Sequence, residues 1–361
     1  MTSEAPTPKL YGPWLDAIIQ GPIPRETKAT CDNCAMLPSP ASSPRALYFH
    51  PSAKCCTFQP QIPNFLAGAI LCDEDPAMAE GRKILEHRIA RRVVVNPRWA
   101  GPGELFPLLY RHIPHVFGQA PALRCHFLTA TGACGVWKWR PAVCATWFCK
   151  HVRGETGNRF WEIAHKLLKE VEHQLTIWCL AELGMGAAEL EELMKPDGLH
   201  VSELEGEIDW QRYRRVWGKW AGREVEFYRS CGQRVEPLSW NQVEEVCGPR
   251  VRVFSDLLRD AYAHLNSEWI PERLQLGEIN LTYADKDGYR VAAYSRFDPL
   301  IAPEPLLRTL RYFDGRPTEE ALEAIRVEQG IRMDLSLVRR LVDFRILKAF
   351  VPETGALPVL Q

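Results

Sequence analysis

Residues 125–149 read CHFLTATGACGVWKWRPAVCATWFC. Cys125, Cys134, Cys144 and Cys149 are separated by gaps of eight, nine and four residues, across Gly132, Gly135 and Pro141. Glycine and proline at these intervals break helix and strand alike, so the stretch reads as loop and short turn. A loop of this length holds one shape only if something staples it. Four thiols within it point to a metal, whose binding free energy becomes folding free energy.

Upstream, Cys31-Asp-Asn-Cys34 is a CxxC knuckle, in which a two-residue gap lets two thiolates converge on one ion while backbone N–H groups point at the sulfurs. Cys55-Cys56 follows twenty residues later. In an extended strand these neighbours would point to opposite sides, so that one of them faces a different metal or none. Nine of the twelve cysteines lie between Cys31 and Cys149, and eight of them, all but Cys72, fall in these groups. With 361 residues the chain has ample length for two or three cored units, so a shortage of core does not explain them. The net charge of −1 with 25% charged residues gives no global case for nucleic acid or an anionic membrane. No segment offers about 18 uninterrupted apolar residues, and Met1 to Leu10 lacks a basic stretch followed by an apolar one. The expectation is a cytoplasmic protein with no membrane partner, whose thiols stay reduced and serve as ligands rather than disulfides.

Around the cysteines the pattern is helical. The first 75 residues, rich in proline from Pro22 to Pro63, read as irregular loops. Met78, Ile84, Leu85, Ile89 and Val93 suggest an amphipathic helix over Pro76 to Val95, with Arg82, Arg88, Arg91 and Arg92 as its solvated face. Phe160, Ala164, Leu168, Val171, Leu175 and Trp178 mark one face of a long helix after Gly157. Further helices are expected from about Glu207 to Ser230 and from about Ser239 to Leu265, the latter kinked at Gly248-Pro249. Ile279 to Tyr283 and Tyr289 to Ala293 flank Asp287-Gly288 as a β-hairpin. Leu306 to Phe313, Ala321 to Ile325 and Leu337 to Val342 form three short helices, the second started by Thr318, Glu319 and Glu320. The fold class is therefore mainly α with irregular metal-stapled loops. Residues 1–155 form a cysteine-rich metal-binding domain, 156–300 a helical domain ending in the hairpin, and 301–361 a small helical tail.

The spacing also resembles a known family, the bacterial YkgJ-type cysteine-cluster proteins, described as a zinc- or iron-chelating domain with a CxxCxxCC signature. The resemblance is carried by Cys31/Cys34, Cys55-Cys56, Cys125-His126-Phe127-Leu128, Gly132-Ala133-Cys134, Arg140-Pro141-Ala142-Val143-Cys144 and Cys149, and covers roughly residues 31 to 150. It departs where about twenty residues separate the CxxC from the CC, against a few in the family. It implies that all eight cysteines are metal ligands. A related group of flagellin lysine N-methylases is thought to carry an iron–sulfur cluster. The radical-enzyme spacing CxxxCxxC is absent, and Gly184-Met-Gly186 is a poor S-adenosylmethionine fingerprint.

Ligand count does not choose between iron–sulfur and zinc. The nearly pure thiolate set, with Trp137, Trp139, Trp147 and Phe148 as an apolar surround, favours a cluster, 4Fe-4S in type, with zinc as the alternative. Arg140 is expected to offset the negative charge of a tetrathiolate site, and if a single site forms, Cys125, Cys134, Cys144 and Cys149 are the first choice. Cys72, Cys179, Cys231 and Cys247 read as small buried hydrophobes, and His126 and the His112/His115 pair as packing or surface residues. The leading function is metal binding with a redox or structural role. Alternatives are a cluster-dependent enzyme acting on a protein or peptide, for example by lysine N-methylation, and a redox-sensing regulator. The tail, which over a short stretch resembles PqqD-like or winged-helix modules, would then bind the protein or peptide partner. The acidic Glu319, Glu320 and Glu323 argue against DNA there, and no catalytic residue stands out.

Overall fold

The structure is a computed structural model that describes residues 7–31, 33–38, 47–92, 94–102, 106, 110, 112, 117–194, 208–285 and 288–352. Helix accounts for 53% of it and strand for 9%, so the protein is mainly helical with small sheets.

Two helices lie where loops are expected. Helix α1 (Tyr11–Ile19) buries Tyr11, Trp14, Leu15, Ile18 and Ile19, and α2 (Asn64–Cys72) buries every residue from Asn64 to Leu71. A helix buried all round has no polar face, so it leaves no 3.6-residue stripe to read. Asn64, the polar exception, is satisfied internally: its Nδ2 donates to the carbonyls of Pro97 at 3.0 Å and Thr176 at 3.2 Å. Helix α3 (Ala79–Arg91) turns Gly81, Leu85 and Ile89 to the core and stops at Arg92, whose φ is +54°. The two-residue strands β1 (Ile62–Pro63) and β2 (Trp99–Ala100) pair antiparallel on either side of α2 and α3 in the chain. Val93 lies outside the described residues.

The cysteine stretch leads into a long central helix. Helix α4 (Ala142–Ala145) is a single turn in the cysteine stretch, and α5 (Gly154–Glu182) is the predicted long helix, burying Phe160, Ala164, Leu168, Val171, Leu175 and Cys179. After the short α6 (Ala187–Met194), the helix expected over 207–230 is two: α7 (Trp210–Trp217), capped by Asp209, and α8 (Glu224–Val235). Gly218, at φ +49°, turns the chain between them. Gly248-Pro249 likewise separates rather than kinks, ending α9 (Trp240–Cys247) and starting α10 (Pro249–Asn266), because a glycine at φ +78° leaves the helical region altogether. Helices α2 and α8 touch backbone to backbone: a Cβ on Gly68 would stand 1.9 Å from the Tyr228 carbonyl oxygen. One hydrophobic cluster runs from Leu10 through the cysteine stretch to Leu265, so residues on both sides of 155 share a core.

The C-terminal part has a second core. The predicted hairpin is present as β4 (Asn280–Asp285) and β5 (Gly288–Ala292), with Leu281 opposite Val291, and β6 (Leu300–Ala302) extends it. Asp287 lies outside the described residues. The three tail helices are α11 (Glu304–Thr309), α12 (Thr318–Gln329) and α13 (Leu335–Asp343). They pack around a sheet that periodicity did not reveal, β7 (Asp314–Pro317), β3 (Arg273–Leu276) and β8 (Leu347–Ala349) in that order. Val291 and Ala302 of the hairpin belong to this second core, together with Phe313, Ile325, Val338 and Leu347. Among the described residues, no helix is long and apolar enough to cross a membrane.

Candidate metal centre

The cysteine loops are tied to one another by backbone bonds rather than by regular structure. The Cys125 N–H donates to the Cys56 carbonyl at 2.7 Å. Lys54, at φ +52°, sends its Nζ to the carbonyls of Cys31 at 2.9 Å and Gly132 at 3.0 Å, so one ammonium joins three loops. Cys125 to Gly135 folds back on itself: Leu128 bridges Cys134, Gly135 N–H donates to the Phe127 carbonyl at 2.8 Å, and Gly132 turns at φ +77°. Helix α3 seats directly on this loop, because a Cβ on Gly81 would come within 1.9 Å of the Gly135 carbonyl oxygen.

Cys144 is held from the other side. Its one-turn helix α4 begins at Ala142, whose N–H donates to Glu172 Oε1 of α5 at 2.7 Å. The same oxygen accepts from the Tyr11 hydroxyl at 2.7 Å, and Oε2 meets Lys169 Nζ at 3.0 Å. Glu172 is 2% exposed, so this carboxylate spends its acceptors inside the protein to fix the turn that carries a thiol. Its part was not legible in the sequence, where it is one of many glutamates on helices.

All twelve cysteines are free thiols. Burial raises the Cys125 thiol to about 11 and Cys134 to about 12, and raises Cys144 well above its ordinary value. Each of these three also feels the charge of Cys56, and Cys144 feels Cys134 and Cys125 as well. Cys31 is raised by burial and by Cys56. Cys31, Cys56, Cys125, Cys134 and Cys144 are therefore neighbours. Cys56 is the exception in sign: a hydrogen bond from the Cys55 thiol lowers it, helped by the charges of Lys54 and Arg124. Cys31 and Cys144 touch solvent and yet are strongly desolvated, a combination that a concave surface produces and a convex one does not.

Cys34, Cys55 and Cys149 share a second set of apolar neighbours, while the charge of Cys34 also bears on Cys31 and that of Cys31 on Cys55. They pack with Met36, Phe49, Phe117 and Phe297, and the charge of Cys34 bears on Cys149, which burial pushes up to about 12. Cys149 thus stands with Cys34 and Cys55, and Cys56 takes the place beside Cys125, Cys134 and Cys144. Cys55 and Cys56 lie in a turn rather than an extended strand: Lys54 and Cys56 N–H donate back to the His50 and Ala53 carbonyls, and the two thiols hydrogen-bond to each other instead of pointing to opposite sides.

Arg140 is 4% exposed, stacks on Trp137 with 3.7 Å to the ring centroid, and exchanges charge effects with Cys134, Cys144 and Cys31. The expected aromatic surround is partial. Trp139 is buried with its Nε1 on Asp73 Oδ2 at 2.6 Å, and Phe148 packs on Trp161. Trp147 joins Phe49, Phe117 and Phe297 in a set of ring contacts with centroids 4.9 to 6.5 Å apart beside Cys149. Phe297 comes from the C-terminal part, which docks here through Lys150 Nζ on the Phe297 carbonyl, His151 N–H on Asp298 and Arg153 on Asp343.

Of the other residues considered, Cys179, Cys231 and Cys247 are buried as expected, while Cys72, at the end of α2, is exposed. His126 and His112 are exposed, and His115 lies outside the described residues. Arg82, Arg88 and Arg92 are not a free solvated face: they bind the Asp73 carbonyl, the Gly101 carbonyl and the Glu224 carboxylate. Among the described residues, no group of three or more His, Cys, Asp or Glu side chains is arranged to hold a metal ion, so the thiols are neighbours and not a closed shell. Their chemistry nonetheless fits a thiophilic metal: soft donors, a concave desolvated setting and a buried cation to offset charge. Comparison with protein families, curated proteins and solved structures finds no match to this chain, so its likeness to the YkgJ-type proteins rests on the quoted motifs.

Proposed function

We propose that the protein is a thiolate metalloprotein whose main site, Cys56, Cys125, Cys134 and Cys144 with Cys31 at the rim, takes an iron–sulfur cluster. The observation that supports this most is the mutual charge effect among these thiols, which come from separate stretches of chain, with the buried Arg140 acting on Cys31, Cys134 and Cys144. Four thiolates would carry several negative charges, and a guanidinium withdrawn from water offsets them where solvent cannot. A cluster would supply one-electron chemistry or a rigid staple. The chain's own part is to hold the thiols close, exclude bulk water and give up their protons on binding, since raised thiols bind metal only as thiolates. Cys34, Cys55 and Cys149, which pack under the aromatic rings, would then be spare thiols or serve a second ion.

The test is anaerobic purification followed by visible absorption and iron, sulfide and zinc analysis, on wild type, Cys134→Ser/Cys144→Ser and Cys149→Ser. A broad band near roughly 400 nm with matching iron and sulfide, lost in the double variant and kept in Cys149→Ser, is the expected result. Zinc without colour would replace the cluster by a structural site. Wild-type protein without metal would overturn the reading.

A further inference from the structure

Helix α3 carries more cations than its packing uses. Arg82 and Arg92 are committed to Asp73 and Glu224 on its flanks, and Arg88 gives one nitrogen to the Gly101 carbonyl. Lys83, His87 and Arg91 have no ion pair or hydrogen bond among the described residues, and they share one face with Glu80, Ile84 and Arg88 at helical steps of three and four. That face, with Lys83, His87 and Arg91 exposed, forms one wall of an open cavity of about 660 Å³, flanked by Val94 beyond the helix end and by His126 from the cysteine loop. Three permanent cations against one carboxylate leave an excess of two positive charges, with both histidines counted neutral. Val94 is held at φ +54°, a conformation that a β-branched residue rarely adopts and that tends to occur where a site constrains the chain.

We propose that this cavity binds a small organic polyanion bearing carboxylate or phosphate groups, seated on Lys83, Arg88 and Arg91 with one end at His126. The volume lies within the range of small-ligand sites. Lysine and arginine together supply the point charge and planar donor fork that such anions take. Arg88 also feels the charge of Cys125, so the bound anion would lie beside the wall of the thiol centre. The site draws its charge from α3 and needs no metal, and it goes beyond the metal reading by assigning a ligand class next to that centre.

The experiment is calorimetric titration of the full chain with pyrophosphate and with citrate, the two probes separating phosphate from carboxylate recognition. Lys83→Gln/Arg91→Gln should bind the preferred probe at least about tenfold more weakly, while Lys83→Arg/Arg91→Lys, which keeps both charges, should stay within about threefold. Arg223→Gln/Arg326→Gln, which removes two exposed cations elsewhere, should bind as wild type does. Cys134→Ser/Cys144→Ser should lose metal and keep the anion, and Lys83→Gln/Arg91→Gln should do the reverse, so failure of one reading is told apart from failure of the other. The proposal is overturned if wild type binds neither probe, if duplex DNA binds in their place, or if the two glutamine double variants weaken binding equally.

Discussion

Replacing Glu172 by alanine should unfasten the turn that carries Cys144. The carboxylate is the acceptor for two buried donors, the Tyr11 hydroxyl and the Ala142 N–H, each at 2.7 Å. Leaving a buried donor without a partner costs about 1–3 kcal/mol. Lys169 is nearly half exposed, so its loss as a partner adds little. Removing the carboxylate also removes its own desolvation cost, which offsets part of the loss. The net expectation is a destabilisation of about 2–4 kcal/mol, a large share of a typical stability. Glu172→Gln, which keeps the shape and one carbonyl acceptor, should cost about 1–2 kcal/mol. Urea unfolding reads both values. Transfer of metal to a chelator reads the local effect, with Glu172→Ala releasing metal several times faster than wild type. An alanine variant within about 0.5 kcal/mol of wild type, releasing metal at the wild-type rate, would refute the idea that Glu172 positions Cys144.

Gly68→Ala should lower stability by about 3 kcal/mol or more, because its methyl would enter the Tyr228 backbone and force α2 and α8 apart; a melting temperature unchanged from wild type would count against their close contact. Arg153→Met removes a two-bond partner of Asp343, at 2.6 and 2.7 Å, and should cost about 2 kcal/mol. It should also speed amide hydrogen exchange in α13 and β8 ahead of α5, and a uniform increase would place the coupling elsewhere. Glu26 is buried, accepts from Trp161 Nε1 at 2.9 Å and from the Val152 N–H, and burial holds its carboxyl above the ordinary value. A carboxyl raised in the folded state keeps its proton where the unfolded chain has released it, so stability falls as pH climbs from about 4.5 through the folded value. Glu26→Gln should remove that slope, and parallel pH profiles for the two proteins would contradict it.

Much of the helical frame is legible from residue order alone, since periodicity reports burial on one side. Phe160 to Leu175 mark α5, and the hairpin is read from alternation, as the pairing of Leu281 with Val291 bears out. Helix α2 escapes that reading because it is apolar on every side, and α1 because its one-sided stripe of Tyr11, Trp14, Leu15 and Ile18 spans only nine residues in a proline-rich region. Strands β3, β7 and β8 escape it because three or four residues carry too few alternations. At Gly218 and Gly248 a positive φ splits what periodicity joined.

The same division runs through the site. Cysteine type and spacing are local properties, so residue order alone singled out Cys31, Cys34, Cys55, Cys56, Cys125, Cys134, Cys144 and Cys149 and the need for something to staple their loops. Which thiol neighbours which is not local. Cys56 meets Cys125 through a backbone hydrogen bond across 69 residues, Lys54 joins Cys31 to Gly132, and Glu172 on a distant helix sets Cys144. Arginines 82, 88, 91 and 92 look alike in the sequence. Only tertiary contacts separate those spent on Asp73 and Glu224 from those that face the cavity, because a side chain's use depends on what the rest of the chain brings to it.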